Sequence, residues 1–250
     1  MTVKFLREGK SVIPEDSGNI IKFCSQSGVD LTLEWFDGQY LLHSDLAGER
    51  PIGIEIDQEL ERHIMYFKKS SLHRELLARA IGIKGGVRPK VMDLTAGLLG
   101  DSLLFLSMGC EVIAIERHPV IAFLIRSALV KAKHPYLQKF IFNEGEASEI
   151  LKSRPEVDVL FFDPMFEDAN QKSLPRKEMR IFRGLVGEDL DSREVFNFAH
   201  SLEVRRLVVK RPRLSVTVIP GNPLQYIGKA TRYDVYLGQK HGPIESNLLK

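Results

Sequence analysis

The chain of 250 residues has few cysteines and no long apolar run. Its two cysteines, Cys24 and Cys110, are far apart and lack the spacing of metal ligands. No apolar stretch approaches the roughly 18 residues that cross a bilayer, and residues 1–16 lack the apolar core of a signal peptide. The sequence therefore predicts a cytoplasmic protein with no metal site and no membrane span.

Neither sign of charge is in large excess. There are 35 Lys and Arg residues against 33 Asp and Glu, a net charge of +2 that does not by itself indicate nucleic acid. The positive charges nevertheless concentrate in two segments: Lys172, Arg176, Lys177, Arg180 and Arg183 in the first, and Arg205, Arg206, Lys210, Arg211 and Arg213 in the second. Either a solvated surface or a basic face that binds a polyanion explains them.

The first 62 residues have the pattern of a small β-rich subdomain. Two apolar-rich runs, 31–36 and 39–43, flank Asp37-Gly38. This dipeptide is typical of the type I′ turn of a β-hairpin, because both central residues need a positive φ. Residues 52–56 alternate in polarity and predict one more strand. We expect residues 63–250 to form a second, larger domain.

From Lys90 onward, short apolar runs alternate with helical stretches. Strands are predicted at 91–94, 112–115, 140–142, 157–162, 207–209 and 232–237, and helices at 102–108, 120–132, 147–152 and 193–202. This alternation predicts an α/β fold, a Rossmann-like parallel sheet covered by helices on both faces. Ligands of such a sheet bind beyond the carboxyl ends of its strands.

The loop after the first of these strands carries two carboxylates. It runs from Asp93 to Asp101, and Gly97 and Gly100 allow it to turn tightly beside a ligand. Its glycine spacing is not the G-x-G-x-x-G of dinucleotide sites, and the two carboxylates would repel a pyrophosphate. They suit a ligand with positive charge, such as the ammonium and sulfonium groups of S-adenosylmethionine (SAM).

Acidic residues also follow the next two strands. Glu116 stands nineteen positions after Gly97, near the spacing at which an acid accepts hydrogen bonds from ribose hydroxyls. An ordinary surface glutamate is the alternative. After the third strand, Glu146 and Ala147 are the best-placed residues for a contact with adenine, and a plain turn explains this loop nearly as well.

The fourth strand ends in Asp163-Pro164-Met165-Phe166, which resembles the [Asp/Asn]-Pro-Pro-[Phe/Tyr/Trp] motif of methyltransferases that act on exocyclic amino groups. An aromatic amine is a poor nucleophile, because its lone pair is delocalised into the ring. Asp163 and a carbonyl held by Pro164 would accept its N–H bonds and turn the lone pair toward the methyl group. Phe166 would stack on the base. A strand-ending turn with a core phenylalanine is the alternative.

Both basic segments leave the same edge of the predicted sheet. Their candidates for contacts with RNA phosphates are Lys172, Arg176, Lys177, Arg180, Lys210 and Arg211. Several such contacts would make binding strongly dependent on salt.

Longer strings of the sequence match a known family. They are Glu75-Leu76-Leu77-Ala78-Arg79-Ala80-Ile81-Gly82-Ile83-Lys84, Asp93-Leu94-Thr95-Ala96-Gly97, Asp163-Pro164-Met165-Phe166, Lys177-Glu178-Met179-Arg180 and Val208-Val209-Lys210-Arg211-Pro212. On these strings, residues 75–237 resemble the RsmJ-type 16S rRNA (guanine-N2)-methyltransferases of bacteria. The resemblance implies a class I SAM-dependent fold and methyl transfer to the exocyclic amine of a guanine near the 3′ end of small-subunit rRNA.

The resemblance also implies site residues. The family's cofactor contacts fall on Gly100, Asp101, Glu116, Arg117, Glu146, Ala147 and Asp163. The family's first loop usually reads Asp-x-Thr-Ala-Gly-Leu-Gly-x-Asp. Here Leu99 takes the place of the second glycine, and Gly100 takes that of the variable residue after it.

Other functions remain open on the sequence. A methyltransferase of the same class could act on adenine N6 or on a protein glutamine amide, since the Asp-Pro-x-aromatic motif serves all three amines. The basic segments favour RNA over a peptide. A non-catalytic rRNA-binding assembly factor would have no need of Asp93, Glu116 and Asp163. A dinucleotide-dependent oxidoreductase is disfavoured by the acidic first loop.

Overall fold

A computed structural model describes residues 3–28, 30–43, 50–164, 192–215 and 222–238. Its strands are β1 (Val3–Arg7), β2 (Lys10–Ser11), β3 (Leu31–Phe36), β4 (Gln39–His43), β5 (Lys90–Asp93), β6 (Glu111–Glu116), β7 (Phe140–Glu144), β8 (Val159–Phe162), β9 (Arg206–Pro212), β10 (Leu224–Ile227) and β11 (Thr231–Leu237). Its α-helices are α1 (Gly18–Ser27), α2 (Ile56–Lys69), α3 (Leu76–Ile81), α4 (Gly100–Ser107), α5 (Pro119–Lys131), α6 (Ala147–Leu151) and α7 (Ser192–Ser201), with short 3₁₀ helices at Leu72–Arg74 and Pro135–Lys139.

The larger of the two sheets in these ranges has the strand order β10-β11-β9-β8-β5-β6-β7. The five neighbouring strands β9, β8, β5, β6 and β7 are parallel to one another. Strands β11 and β10 are added antiparallel beside β9. This arrangement confirms the predicted α/β fold. Because parallel strands end at one edge of a sheet, the loops after β5, β6, β7 and β8 meet there, beside the last residues of β9.

The smaller sheet, ordered β2-β1-β3-β4, confirms the predicted hairpin. Both turn residues have a positive φ, 47° at Asp37 and 82° at Gly38. The predicted strand at 52–56 is wrong, because Ile52 forms only an isolated bridge and α2 begins at Ile56. The buried residues Ile56 and Leu60 are four apart, which is the period of a helix and not of a strand. Helices α1 and α2 and strands β1, β2 and β10 were not predicted.

The two sheets share one hydrophobic core. Phe5 and Leu33 of the smaller sheet are buried in the same cluster as Val91 and Phe123. The ring centroids of Phe5 and Phe123 are 5.7 Å apart. The predicted domain boundary after residue 62 falls inside α2 and does not coincide with the end of an element. In the ranges described, no helix combines the length and the apolar character needed to span a membrane.

Candidate active site

Asp93 is a buried acid at the end of β5, with 1% of its surface exposed. Its Oδ2 accepts a hydrogen bond from the Ser102 hydroxyl (2.6 Å), and its Oδ1 accepts one from the Thr95 N–H (3.1 Å). Burial raises the pKa of Asp93 to about 7, against the lowering effect of the bond from Ser102. The carboxylates of Asp101 and Asp163 add to the rise. Asp93 therefore changes charge near neutral pH.

The loop after Asp93 turns through two residues in the left-handed region. Gly97 has a φ of 52°, and Leu99, directly before α4, has a φ of 66°. Leu99 thus occupies a conformation that costs an L-residue about 1–2 kcal/mol, with its side chain fully buried. A Cβ atom added at Gly97 or Gly100 would meet no atom within 4 Å, so the space beside both glycines can accept a ligand.

Glu116 connects three loops at the end of β6. Its Oε2 accepts a hydrogen bond from the Gly97 N–H (2.8 Å), and its Oε1 accepts one from the His118 N–H (2.8 Å). Its main-chain carbonyl accepts the Gly145 N–H (3.0 Å). The structure therefore places Glu116 beside the first loop, as the spacing indicates, and its contact with ribose stays a prediction.

The residues predicted for the adenine side lie on neighbouring loops. The Nη1 atom of Arg117 is 3.4 Å from Oε2 of Glu146, which directly precedes α6. Ala147, the first residue of α6, is 8% exposed. The structure brings these three residues to the same edge as Glu116, and their contacts with a cofactor remain predictions.

Asp163 and Pro164 follow β8 and lie next to the first loop. The Asp163 N–H donates a hydrogen bond to Oγ1 of Thr95 (2.8 Å). The Asp163 side chain is 35% exposed, whereas Pro164 is buried. This bond ties the turn that carries the predicted amine-binding residue to the loop that holds Asp93.

Lys210, on β9, lies between two acids of the site. Its Nζ atom is 2.6 Å from Oδ2 of Asp101 and 2.8 Å from Oδ2 of Asp163. Burial opposes the ammonium charge, but the carboxylates of Asp163 and Asp101 outweigh this effect and raise the pKa of Lys210. Lys210 is therefore a permanent cation that bridges the first loop and the Asp-Pro turn.

Two predicted RNA contacts need correction. Lys210 is engaged by carboxylates of the protein, a position that does not suit a phosphate contact. The prediction for Arg211 is wrong, because its side chain is 2% exposed and its Nε lies 3.4 Å from Oδ2 of Asp234. Neighbouring residues of a strand project to opposite faces, and on the Arg211 face the pairing of β9 with β11 brings Asp234 close. That pairing was not apparent in the sequence.

The other predicted site residues lie outside the described residues: Phe166, Lys172, Arg176, Lys177 and Arg180. In the part of the chain that the structure describes, no group of three or more His, Cys, Asp or Glu side chains could hold a metal ion.

Sequence reasoning missed the parts played by Thr95, Ser102 and Lys210. A signal existed for two of them. Ser102 directly precedes the apolar run 103–106 of helix α4, and Lys210 directly follows the buried pair Val208-Val209. A polar side chain at such a position needs a polar partner inside the protein.

Known proteins are similar to this chain in sequence and in fold. A family model of SAM-dependent methyltransferases matches residues 27–238. The chain is 38% identical over 210 residues to ribosomal RNA small subunit methyltransferase J of Thioalkalivibrio sulfidiphilus, which covers 80% of this chain and 82% of that protein. The protein of the same name from Pseudomonas paraeruginosa is 36% identical over 194 residues, or 74% of each chain. The chain belongs to this family of SAM-dependent methyltransferases.

A solved structure of a SAM-dependent methyltransferase from Neisseria gonorrhoeae matches the fold. It has a TM-score of 0.64 and 24% sequence identity, and the match covers 96% of this chain and 97% of that one. The cofactor of this methyltransferase family is SAM. Asp101, Asp163 and the open space beside Gly97 and Gly100 lie at the same end of the sheet, and their contacts with SAM remain predictions.

Proposed function

We propose that this chain transfers a methyl group from SAM to N2 of a guanine in the 16S rRNA of the small ribosomal subunit. The position of Asp163 carries the proposal. Its N–H is bonded to Thr95 of the first loop, and its carboxylate is paired with Lys210. The names of the relatives support small-subunit rRNA as the substrate. The resemblance to RsmJ-type sequences supports guanine N2.

Binding of the donor is the first task of the chain's own residues. Asp101 and Asp93 would face the positive groups, and Glu116 would accept the ribose hydroxyls. Arg117, Glu146 and Ala147 would border the adenine. Bound SAM supplies a methyl group that its sulfonium already activates.

Orientation of the amine is the second task. The Asp163 carboxylate and the Pro164 carbonyl would accept the two N–H bonds, so that the nitrogen lone pair points to the methyl group. The nitrogen would lose one proton as the methyl group passes to it from sulfur and S-adenosylhomocysteine leaves, and Asp163, as the hydrogen-bond acceptor of that N–H, would receive the proton. The adjacent ammonium of Lys210 stabilises the ionised, accepting form of Asp163. Phe166 would stack on the guanine.

Deletion of the gene, followed by mass mapping of 16S rRNA nuclease fragments, tests the function. We expect one N2-methylguanine to disappear, to return with the wild-type gene and to stay absent with Asp163→Ala. Loss of an N6-methyladenine or of a methylated glutamine would assign a different acceptor. Unchanged rRNA and protein methylation, together with SAM binding by the purified chain, would contradict the assignment to rRNA.

A further inference from the structure

Lys210 and Arg211, the two residues of β9 that were predicted to contact RNA, contact acids of the protein. Exposed side chains instead cluster on the last turns of α2 and on the 3₁₀ helix that follows. The α2 basic surface consists of Tyr66, Lys69 and Arg74.

The cations of this surface are available to a partner. Lys69 and Arg74 are exposed, and neither forms an ion pair with another described residue. Lys131, by contrast, has Nζ 2.9 Å from Oδ2 of Asp37. Unneutralised cations at neighbouring positions attract a polyanion.

Tyr66 adds an aromatic ring held in a defined orientation. It is 51% exposed, and its hydroxyl donates a hydrogen bond to Oε1 of Glu75 (2.7 Å). Its ring packs edge-on against Phe67, with the centroids 5.3 Å apart. Lys69 lies three residues further on the same helix face. An exposed ring beside a cation is the combination with which proteins stack an unpaired base and hold its phosphate.

The α2 basic surface borders the active site. Burial raises the pKa of Tyr233 to about 12, and the carboxylates of Asp101 and Glu75 both add to the rise. Glu75, whose carboxylate holds Tyr66, and Asp101 thus both act on Tyr233, and helix α2 packs against α4, which carries Asp101. Tyr233 in turn lies opposite Lys210 in the pairing of β9 with β11.

We propose that the α2 basic surface binds the rRNA strand beside the target guanine. Lys69 and Arg74 contact its phosphates, and Tyr66 stacks on a neighbouring base. This inference rests on the proposed function and extends it to the substrate path. Unneutralised cations beside an aromatic platform favour RNA, and an acidic ribosomal protein is the alternative partner that the test separates.

A charge-reversal pair and a matched control test the surface. Lys69→Glu/Arg74→Glu removes both of its cations. Lys84→Glu/Arg154→Glu makes the same change at exposed positions that precede β5 and β8, at the sheet edge opposite the site. The substrates are small subunits from the deletion strain and a 16S rRNA transcript. Calorimetry with S-adenosylhomocysteine reports whether the cofactor site is intact in each variant.

For Lys69→Glu/Arg74→Glu we expect KM for small subunits to rise about tenfold or more, and the salt slope of transcript binding to fall by about 2. Affinity for S-adenosylhomocysteine should match that of wild type. A KM and a salt slope equal to those of the control pair would overturn the proposal that the α2 basic surface binds rRNA. A raised KM with unchanged transcript binding would assign the surface to a ribosomal protein. A wild-type chain that methylates no rRNA would instead refute the proposed function, and the surface with it.

Substitutions of Tyr66 test the stacking. Tyr66→Ala should weaken transcript binding about tenfold, which is within the range measured for loss of a stacked base. Tyr66→Phe keeps the ring and loses only the bond to Glu75, so its binding should stay within about twofold of wild type. Equal losses in the two variants would contradict the stacking role.

Discussion

The ammonium of Lys210 lies 2.8 Å from the carboxylate of Asp163, the residue proposed to orient the amine. It also lies 2.6 Å from Oδ2 of Asp101, in the first turn of helix α4. One cation therefore connects an acid proposed to face SAM with the acid proposed to orient the amine. A change at residue 210 should alter both.

Replacement of this cation tests the electrostatics of the site. Lys210→Met leaves the acids uncompensated, so they should favour SAM, which carries a sulfonium, over S-adenosylhomocysteine, which does not. We expect the SAM to S-adenosylhomocysteine affinity ratio to rise about fivefold, as for one charge interaction of about 1 kcal/mol. Methyl transfer should fall, because Asp163 loses the partner that positions it. Lys210→Arg should retain the wild-type ratio, and a ratio unchanged in Lys210→Met would contradict this role.

Asp163 should affect the chemical step more than cofactor binding. Asp163→Asn keeps the shape of the side chain but presents an NH₂ group where the amine needs an acceptor. We expect single-turnover methyl transfer to fall on the order of 100-fold or more. The change in SAM affinity, measured by calorimetry, should be smaller. Full transfer by this variant would refute the orienting role.

The buried carboxyl of Asp93 should make stability depend on pH. Its pKa is about 7 in the folded protein, against about 3.9 in an unfolded chain, so the folded state holds the proton more tightly. The contribution of Asp93 to the free energy of unfolding should therefore decrease as pH rises from about 4 to about 7, by at most about 4 kcal/mol. Urea titrations across this range measure the effect.

Asp93→Asn supplies the control for that measurement. The carboxamide keeps an acceptor for the Thr95 N–H and has no proton to lose, so this contribution to the pH dependence should vanish. SAM should bind more tightly to wild type as pH rises through 7, because the ionised Asp93 attracts its positive groups. Identical pH profiles of wild type and variant would contradict the perturbed pKa.

The left-handed conformation of Leu99 predicts an unusual order of variant stability. Leu99→Ala removes a fully buried side chain and should lower the free energy of unfolding by about 2–5 kcal/mol. Leu99→Gly loses the same contacts but relieves the positive φ, so it should be about 1 kcal/mol more stable than the alanine variant. Thermal denaturation of both variants measures the difference. A less stable glycine variant would be evidence against the left-handed backbone.

Much of the fold was predictable because its signals are local. The hairpin at Asp37-Gly38 follows from turn chemistry, and the strands of the larger sheet other than β10 follow from short apolar runs. The sequence pattern failed at residues 52–56. An alternation over five residues is too short to separate a strand from the approach to a helix, whose buried residues Ile56 and Leu60 decide the structure.

The acids of the site were predictable, but their partners were not. Asp93, Glu116 and Asp163 each follow a strand, and the rule that parallel strands end together places them at one edge. The pairing of Lys210 with Asp101 and the burial of Arg211 depend on the neighbour of β9 and on which face each side chain takes. Contacts between residues so far apart along the chain leave no local pattern.

Glu116 holds the backbone of Gly97, His118 and Gly145 through three separate oxygen atoms. Substitution of residue 116 is therefore restricted by two requirements. One is the proposed contact with the ribose of the cofactor, and the other is the set of hydrogen bonds that holds the loops after β5, β6 and β7. A descendant that abandoned methylation would still have reason to keep this glutamate, so its retention alone is poor evidence that a homologue is active.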